Sequence, residues 1–219
     1  KVVWLHDFGL EVSGGAAIDV TALRDRFHEA FRRIWRGDAE NDGFNKLVLR
    51  AGLDWRQVTI LRSYARYLRQ LGVSFSLDYI QKALTANPTI AALLVRLFET
   101  RFDPAVAGTG ESAVTEVLQQ ALDAVTSAEE DRILRRLLNL LDATLRTNHW
   151  QTQSDGTPKP YLSFKLDSRA IDDMPLPKPW VEIFVHSPRL EGVHLRGGRV
   201  ARGGIRWSDR RDDFRTEIL

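Results

Sequence analysis

Apolar residues recur at three- and four-residue steps through the first two thirds of the chain, and at two-residue steps in the last third. Val20, Leu23, Phe27, Phe31 and Ile34 mark the inner face of a helix that starts near Asp19 and closes at Gly37. A short helix is predicted over 44–51. Asp54 with Gln57 then forms a capping pair for a helix running to Leu71 and stopped by Gly72. Leu77, Ile80 and Leu84 define one further helix, and Ile90, Leu94, Leu97 and Phe98 another. They meet at Asn87-Pro88, where proline suits a first helical turn because its missing donor has no partner there anyway. After a loop over 103–110, Val114, Val117, Leu118, Ala121 and Leu122 begin a sixth helix. The run Ser127-Ala-Glu-Glu130 caps the last one, whose inner face is predicted to hold Ile133, Leu134, Leu137, Leu138, Leu141 and Leu145.

The period changes after a polar, Pro- and Gly-containing stretch at 152–160. Residues 161–166 and 181–185 alternate as strands, while Met174-Pro-Leu-Pro-Lys-Pro179 between them suits neither a helix nor a central strand. Residues 193–196 and 199–207 are predicted to pair as a hairpin across Gly197-Gly198, with a helix starting near Phe214 under an Asp209 or Asp212 cap. The fold class expected is α+β. Residues 1–18 read as the end of a preceding domain, 19–150 as a helical domain, 151–160 as a linker and 161–219 as the opening of a second domain.

Composition narrows the functional classes without choosing one. The hydrophobic fraction of 43% and charged fraction of 27% are ordinary for a globular protein. No apolar run reaches the roughly 20 residues of a membrane helix. The absence of cysteine excludes disulfides and thiol chemistry and accords with a cytoplasmic setting. Thirty-one basic residues against 29 acidic ones leave a near-neutral balance that does not by itself mark a nucleic-acid binder. Arg62, Arg66 and Arg69 on one helix and Arg32, Arg33 and Arg36 on another are expected to be solvated faces or subunit contacts. The five histidines include no His-x-x-x-His pair, and no metal site is expected.

Two short motifs read as incidental. Gly108-Thr-Gly-Glu-Ser-Ala113 fits a dinucleotide fingerprint, but the residues before it make a poor strand, so it is taken as an interhelical loop. His6-Asp-Phe-Gly9 contains the kinase metal-binding tripeptide without any other kinase element. His186 and His194 are expected to be sheet-packing or exposed residues. The C-terminal Arg202-Gly-Gly-Ile-Arg206 differs in kind. Its glycine pair lets backbone approach a ligand, and the arginines on either side suit a carboxylate or phosphate.

Residues 180–217, together with Asn41-Asp-Gly-Phe-Asn-Lys-Leu-Val-Leu-Arg-Ala-Gly-Leu53 and Tyr64-Ala-Arg-Tyr-Leu-Arg-Gln70, closely resemble the large multidomain bacterial NAD-specific glutamate dehydrogenases. Arg202-Gly-Gly-Ile-Arg206 is also similar to the Lys-Gly-Gly-Ile-Arg segment of the smaller hexameric glutamate dehydrogenases, where the lysine reaches the side-chain carboxylate of glutamate. The resemblance implies a helical bundle followed by the opening strands of an α/β dehydrogenase substrate domain. It implies Arg202, Gly203, Gly204 and Arg206 as substrate-binding residues, and oxidative deamination of L-glutamate to 2-oxoglutarate and ammonia, with NAD as cofactor of a homo-oligomeric parent. The catalytic lysine and NAD domain of the family are expected beyond Leu219, so this chain is expected to hold no catalytic or cofactor-binding residue and to be inactive by itself. An alternative reading is a helical scaffold whose arginine-rich hairpin binds nucleic acid.

Overall fold

A computed structural model describes residues 2–5, 7, 9, 19–106, 108–172, 174–199, 203–208, 215 and 218. Asp19 caps helix α1 (Val20–Trp35) by accepting from the amides of Thr21 and Ala22. A 3₁₀ turn (Gly43–Asn45) leads into α2 (Lys46–Arg50), and the Asp54–Gln57 capping box opens α3 (Trp55–Gln70). Gly72, at φ +73°, follows the end of α3 in the left-handed region that a side chain would disfavour. Helices α4 (Leu77–Ala86) and α5 (Pro88–Phe102) meet at Asn87 as the sequence predicts. Helices α6 (Glu111–Asp123) and α7 (Ala128–Asp142) complete the helical part, with Ser127 accepting from the Glu130 amide at the start of α7.

Strands β1 (Thr144–Thr147), β2 (Leu162–Asp167), β3 (Val181–His186), β4 (Glu191–Arg196) and β5 (Gly203–Ser208) form an antiparallel sheet in chain order. The first strand is a correction to the sequence reading. Leu145 belongs to β1, not to the inner face of α7, and is 51% exposed. The chain leaves the helix because Thr144 is claimed from two sides. Its hydroxyl donates to the Leu140 carbonyl and meets the Tyr64 hydroxyl at 2.8 Å, while its backbone pairs opposite Leu166. Residues 152–160 form a tight excursion closed by a bridge between Thr152 and Pro158. The β4–β5 connection is also longer than predicted. Arg196 pairs with Gly203, so residues 197–202 join the strands and Arg199 lies outside β5.

Helices and sheet share one continuous apolar core. Helix α3 lies at its centre, with Val58, Ile60, Leu61, Ala65, Tyr67 and Leu68 all buried, the pattern of a helix enclosed on most sides. The Tyr64 ring stacks on Phe164 of β2, centroids 4.2 Å apart and planes 7° apart. The loop before α6 follows a helix, not a strand, with Gly108 and Gly110 both at positive φ, so the dinucleotide-like motif is an interhelical loop. Helix α1 departs from expectation at its outer end. Phe31 and Trp35 are 54% and 81% exposed, and Phe27, Phe31 and Trp35 stack on one another along the ridge. Among the described side chains of α1 only Ala30 is buried, so these residues touch their neighbours along a narrow line.

His149 packs edge-on against Phe98 and Trp150, and burial lowers its pKa to about 4, helped by the nearby charge of Arg56. The folded state therefore favours neutral imidazole. An unfolded chain takes up that proton near pH 6.5, so the stabilising contribution is complete above that pH. It is lost as pH falls toward 4 and changes no further below. The span of the shift sets an upper limit of about 3 kcal/mol. Replacing His149 with Gln should flatten the dependence of urea midpoint on pH between 6.5 and 4. An unaltered slope would remove His149 from the acid response.

Candidate functional site

The sequence-predicted site falls on the β4–β5 hairpin. Gly203 pairs with Arg196 and Gly204 with Leu195, so the glycine pair opens the last strand of the described sheet. Arg206 lies opposite Val193. Strand β5 has β4 on one side and no described neighbour on the other, and its two leading residues carry no side chain. That is the backbone a ligand can approach closely. Arg202 lies outside the described residues, as do Asp209, Asp212 and Phe214 of the predicted C-terminal helix.

A fully buried ion pair stands beside this hairpin. Glu182, on β3, lies opposite Leu195, which in turn lies opposite Gly204. The Glu182 carboxylate accepts from Arg215, whose Nε lies 3.0 Å and 3.1 Å from its two oxygens and whose Nη2 also donates to it. Tyr67 of α3 donates its hydroxyl to the same carboxylate at 2.6 Å. Burial, followed by the Glu182 charge, pushes the Tyr67 phenol well up and keeps it a donor. The Arg215 Nη2 also lies 3.3 Å from the Met174 sulfur. One carboxylate thus joins α3, β3, the Pro-rich segment before β3 and the chain beyond β5. None of Tyr67, Glu182 and Arg215 is among the residues singled out from sequence. Glu182 was legible in part, since the alternation of β3 sets it in line with Phe184 and His186 on the helix-covered face.

A second buried polar network lies farther along α3. Arg62 is fully buried, which corrects the expectation of a solvated arginine face. Its guanidinium donates to Asp42 at 2.8 Å and 2.9 Å and to Asn45 Oδ1 at 2.8 Å. Arg66 is half-buried with Nε 3.5 Å from Glu191, and Arg69 reaches the carbonyls of Val73 and Phe75. Arg32 and Arg33 pair with Glu29, and Arg33 also with Asp38, as expected for a solvated helix end. A nucleic-acid backbone would therefore find no free row of cations on α3.

His186 is enclosed, with Nδ1 2.8 Å from Ser63 Oγ and Nε2 2.9 Å from Glu40. Serine, histidine and glutamate in a line are the ingredients of a hydrolytic triad, but Ser63 is completely buried and its hydroxyl donates to the Thr59 carbonyl. No substrate can reach it, and the line is a structural tie between α3, β3 and the segment before α2. His194, on β4, is half-buried. Among the described residues no group of His, Cys, Asp or Glu could hold a metal ion. No strand leading into a glycine-rich turn and helix is present among them either.

Residues 39–104 match the family model of glutamate dehydrogenase helical motif 3. Residues 117–219 match that of the bacterial NAD-glutamate dehydrogenase catalytic domain. The chain is similar along nearly its whole length to bacterial NAD-specific glutamate dehydrogenases. Relatives carrying that name include one from Halomonas elongata, 52% identical over 219 residues, and one from Pseudomonas aeruginosa, 52% identical over 222. A third, from Mycobacterium tuberculosis, is 47% identical over 227 residues. Each alignment takes in 99% of this chain and 14% of the relative, so the chain spans about one seventh of the length of these glutamate dehydrogenases. The catalytic-domain match begins within α6 and includes α7, in keeping with the core that α7 shares with the sheet.

Proposed function

We propose that this chain supplies the helical platform and the substrate-carboxylate strand of an NAD-dependent glutamate dehydrogenase, which converts L-glutamate to 2-oxoglutarate and ammonia. The observation that carries the reading is the close similarity to enzymes of that name along nearly the whole chain. In this reading Arg202 grips the side-chain carboxylate of glutamate, Gly203 and Gly204 let the strand backbone lie against the substrate, and Arg206 adds a second cation. A dianionic substrate calls for such convergent cations, and arginine offers a planar fork to a carboxylate. Residues 161–219 are then the opening of the substrate-binding domain, 151–160 a linker, 19–150 the helical domain and 1–18 the end of a preceding domain. The parent is proposed to be a cytoplasmic homo-oligomer. No helix among the described residues is long and apolar enough to cross a membrane.

In the parent, NAD bound outside these residues would supply the hydride acceptor. The family's chemistry also needs a lysine, and none occurs after Lys178 in this sequence. The chain on its own is therefore expected neither to bind NAD nor to turn over glutamate, while the full-length polypeptide does both. Calorimetric titration with NAD and an absorbance assay with glutamate plus NAD, run on both proteins, test this. Turnover by the pure 219-residue chain would mean that the catalytic groups are misplaced here. A full-length protein inert toward glutamate would remove the reading altogether.

A further inference from the structure

A cavity of about 530 Å³ opens between the C-terminal end of α1, the start of α3, the 152–160 excursion and the β3–β4 turn. It lies at the end of the sheet away from the glycine pair. His186 lines it, and His186 pairs with Glu191, which pairs with Ser208 at the far end of β5. Five steps along the strand separate that end from Gly203, roughly 17 Å at the usual rise. The walls are largely apolar, with Trp55, Pro160, Tyr161, Leu162 and Val185 among them. The volume is that of a pocket for a small organic molecule.

The charges lining this space are not balanced. Its acids are already engaged, Asp38 by Arg33 and Glu40 by His186. Three of its cations, Arg56, Lys159 and Arg189, have no described carboxylate within 4 Å. The half-buried Arg56 guanidinium is held by the Trp55 ring, 6.0 Å away, and by the His149 carbonyl, an acceptor without a full charge. Burial lowers the Arg56 pKa, against the opposing pull of the Asp54 charge nearby. A cation in such a place gains from a bound anion, because a charge-assisted bond is roughly twice as strong as a neutral one.

We propose that this cavity is a second ligand site, binding a small molecule that carries a carboxylate or phosphate group on a flat apolar body. The anionic group meets Arg56, with Arg189 and Lys159 at the rim, and the body lies against Tyr161 and Leu162. The site is independent of the dehydrogenase reading, because occupancy is measured as binding and not as turnover.

The experiment is calorimetric titration of the full-length polypeptide with phenyl phosphate, with benzoate and with phenol, each in the presence of saturating glutamate. One or both anions should bind saturably at one site per chain, and phenol should not. The better anion tells phosphate from carboxylate as the natural headgroup. Arg56→Ala should weaken that binding about tenfold or more, the loss of one hydrogen bond to a charged group. Arg189→Ala and Lys159→Ala, on the turn and the excursion, should each weaken it without disturbing the fold, and they decide the matter if Arg56→Ala does not fold. Arg202→Ala should leave it unchanged. Absence of saturable binding by either anion up to about 10 mM, a concentration that detects even a Kd of about 1 mM, overturns the proposal. So does binding that is indifferent to all three cavity substitutions.

Discussion

Glu182→Ala is expected to destabilise the protein by about 3–5 kcal/mol, the cost of leaving a buried charge without its partner. Arg215 is completely enclosed and places both Nε and Nη2 on this carboxylate. Removing the acid strands the guanidinium in the core and takes the acceptor from the Tyr67 hydroxyl as well. Glu182→Gln keeps the shape and one acceptor oxygen, so it should cost less than Ala. Tyr67→Phe removes one bond to a charged acceptor and should cost roughly 1.5–3 kcal/mol. The double substitution Glu182→Leu with Arg215→Met should recover much of the loss of Glu182→Ala, because a buried pair replaced by apolar groups of similar volume is often close to neutral. Urea unfolding followed by circular dichroism gives all four values. A Glu182→Ala protein within 1 kcal/mol of the parent on the scale of such measurements would show that the pair is solvated or relaxes freely.

The helical part was largely legible because its signals are local. The Asp54–Gln57 box, the Asn87-Pro88 junction and the Ser127 cap each act within a turn, and each lies where the sequence puts it. The alternation of β2 and β3 was legible for the same reason. Strand β1 was not. Leu141 and Leu145 are four residues apart and continue the α7 stripe, but pairing with β2 and the Tyr64–Thr144 contact draw residues 144–147 out of the helix. Tertiary context overrides a short apolar spacing.

The polar interior was harder to read, since its partners are remote. Tyr67 and Glu182 are 115 positions apart, and Ser63 and His186 are 123 apart. Nothing in the local period around Arg62 says that Asp42 and Asn45 wait for it. An arginine on an otherwise mixed helix face reads as solvated, and burial reverses the reading because Asp42 and Asn45 accept three bonds from its Nε and Nη2. The exposed Phe31 and Trp35 fail in the opposite sense, since a helical stripe shows amphipathicity but not how much of it a neighbour covers. For the candidate site, the structure gives the register of Gly203, Gly204 and Arg206 but not Arg202. Its role rests on the resemblance of its motif.

That role has the second large expected effect. In the full-length enzyme, Arg202→Ala should lower kcat/KM for glutamate by about 10- to 150-fold, corresponding to the loss of one charged hydrogen bond of roughly 1.5–3 kcal/mol. NAD affinity should hardly change, because the loss falls on one end of the amino acid. Arg202→Lys should regain part of the activity by restoring the charge without the planar fork. The direct measurement is steady-state oxidation of glutamate by parent, Arg202→Ala and Arg202→Lys enzymes of equal thermal stability, with NAD and glutamate varied in turn. A loss confined to the glutamate dependence, partly rescued by lysine, is the predicted result. Glutamate kinetics unchanged in a folded Arg202→Ala enzyme would contradict the assignment and leave Arg206 as the cation to test.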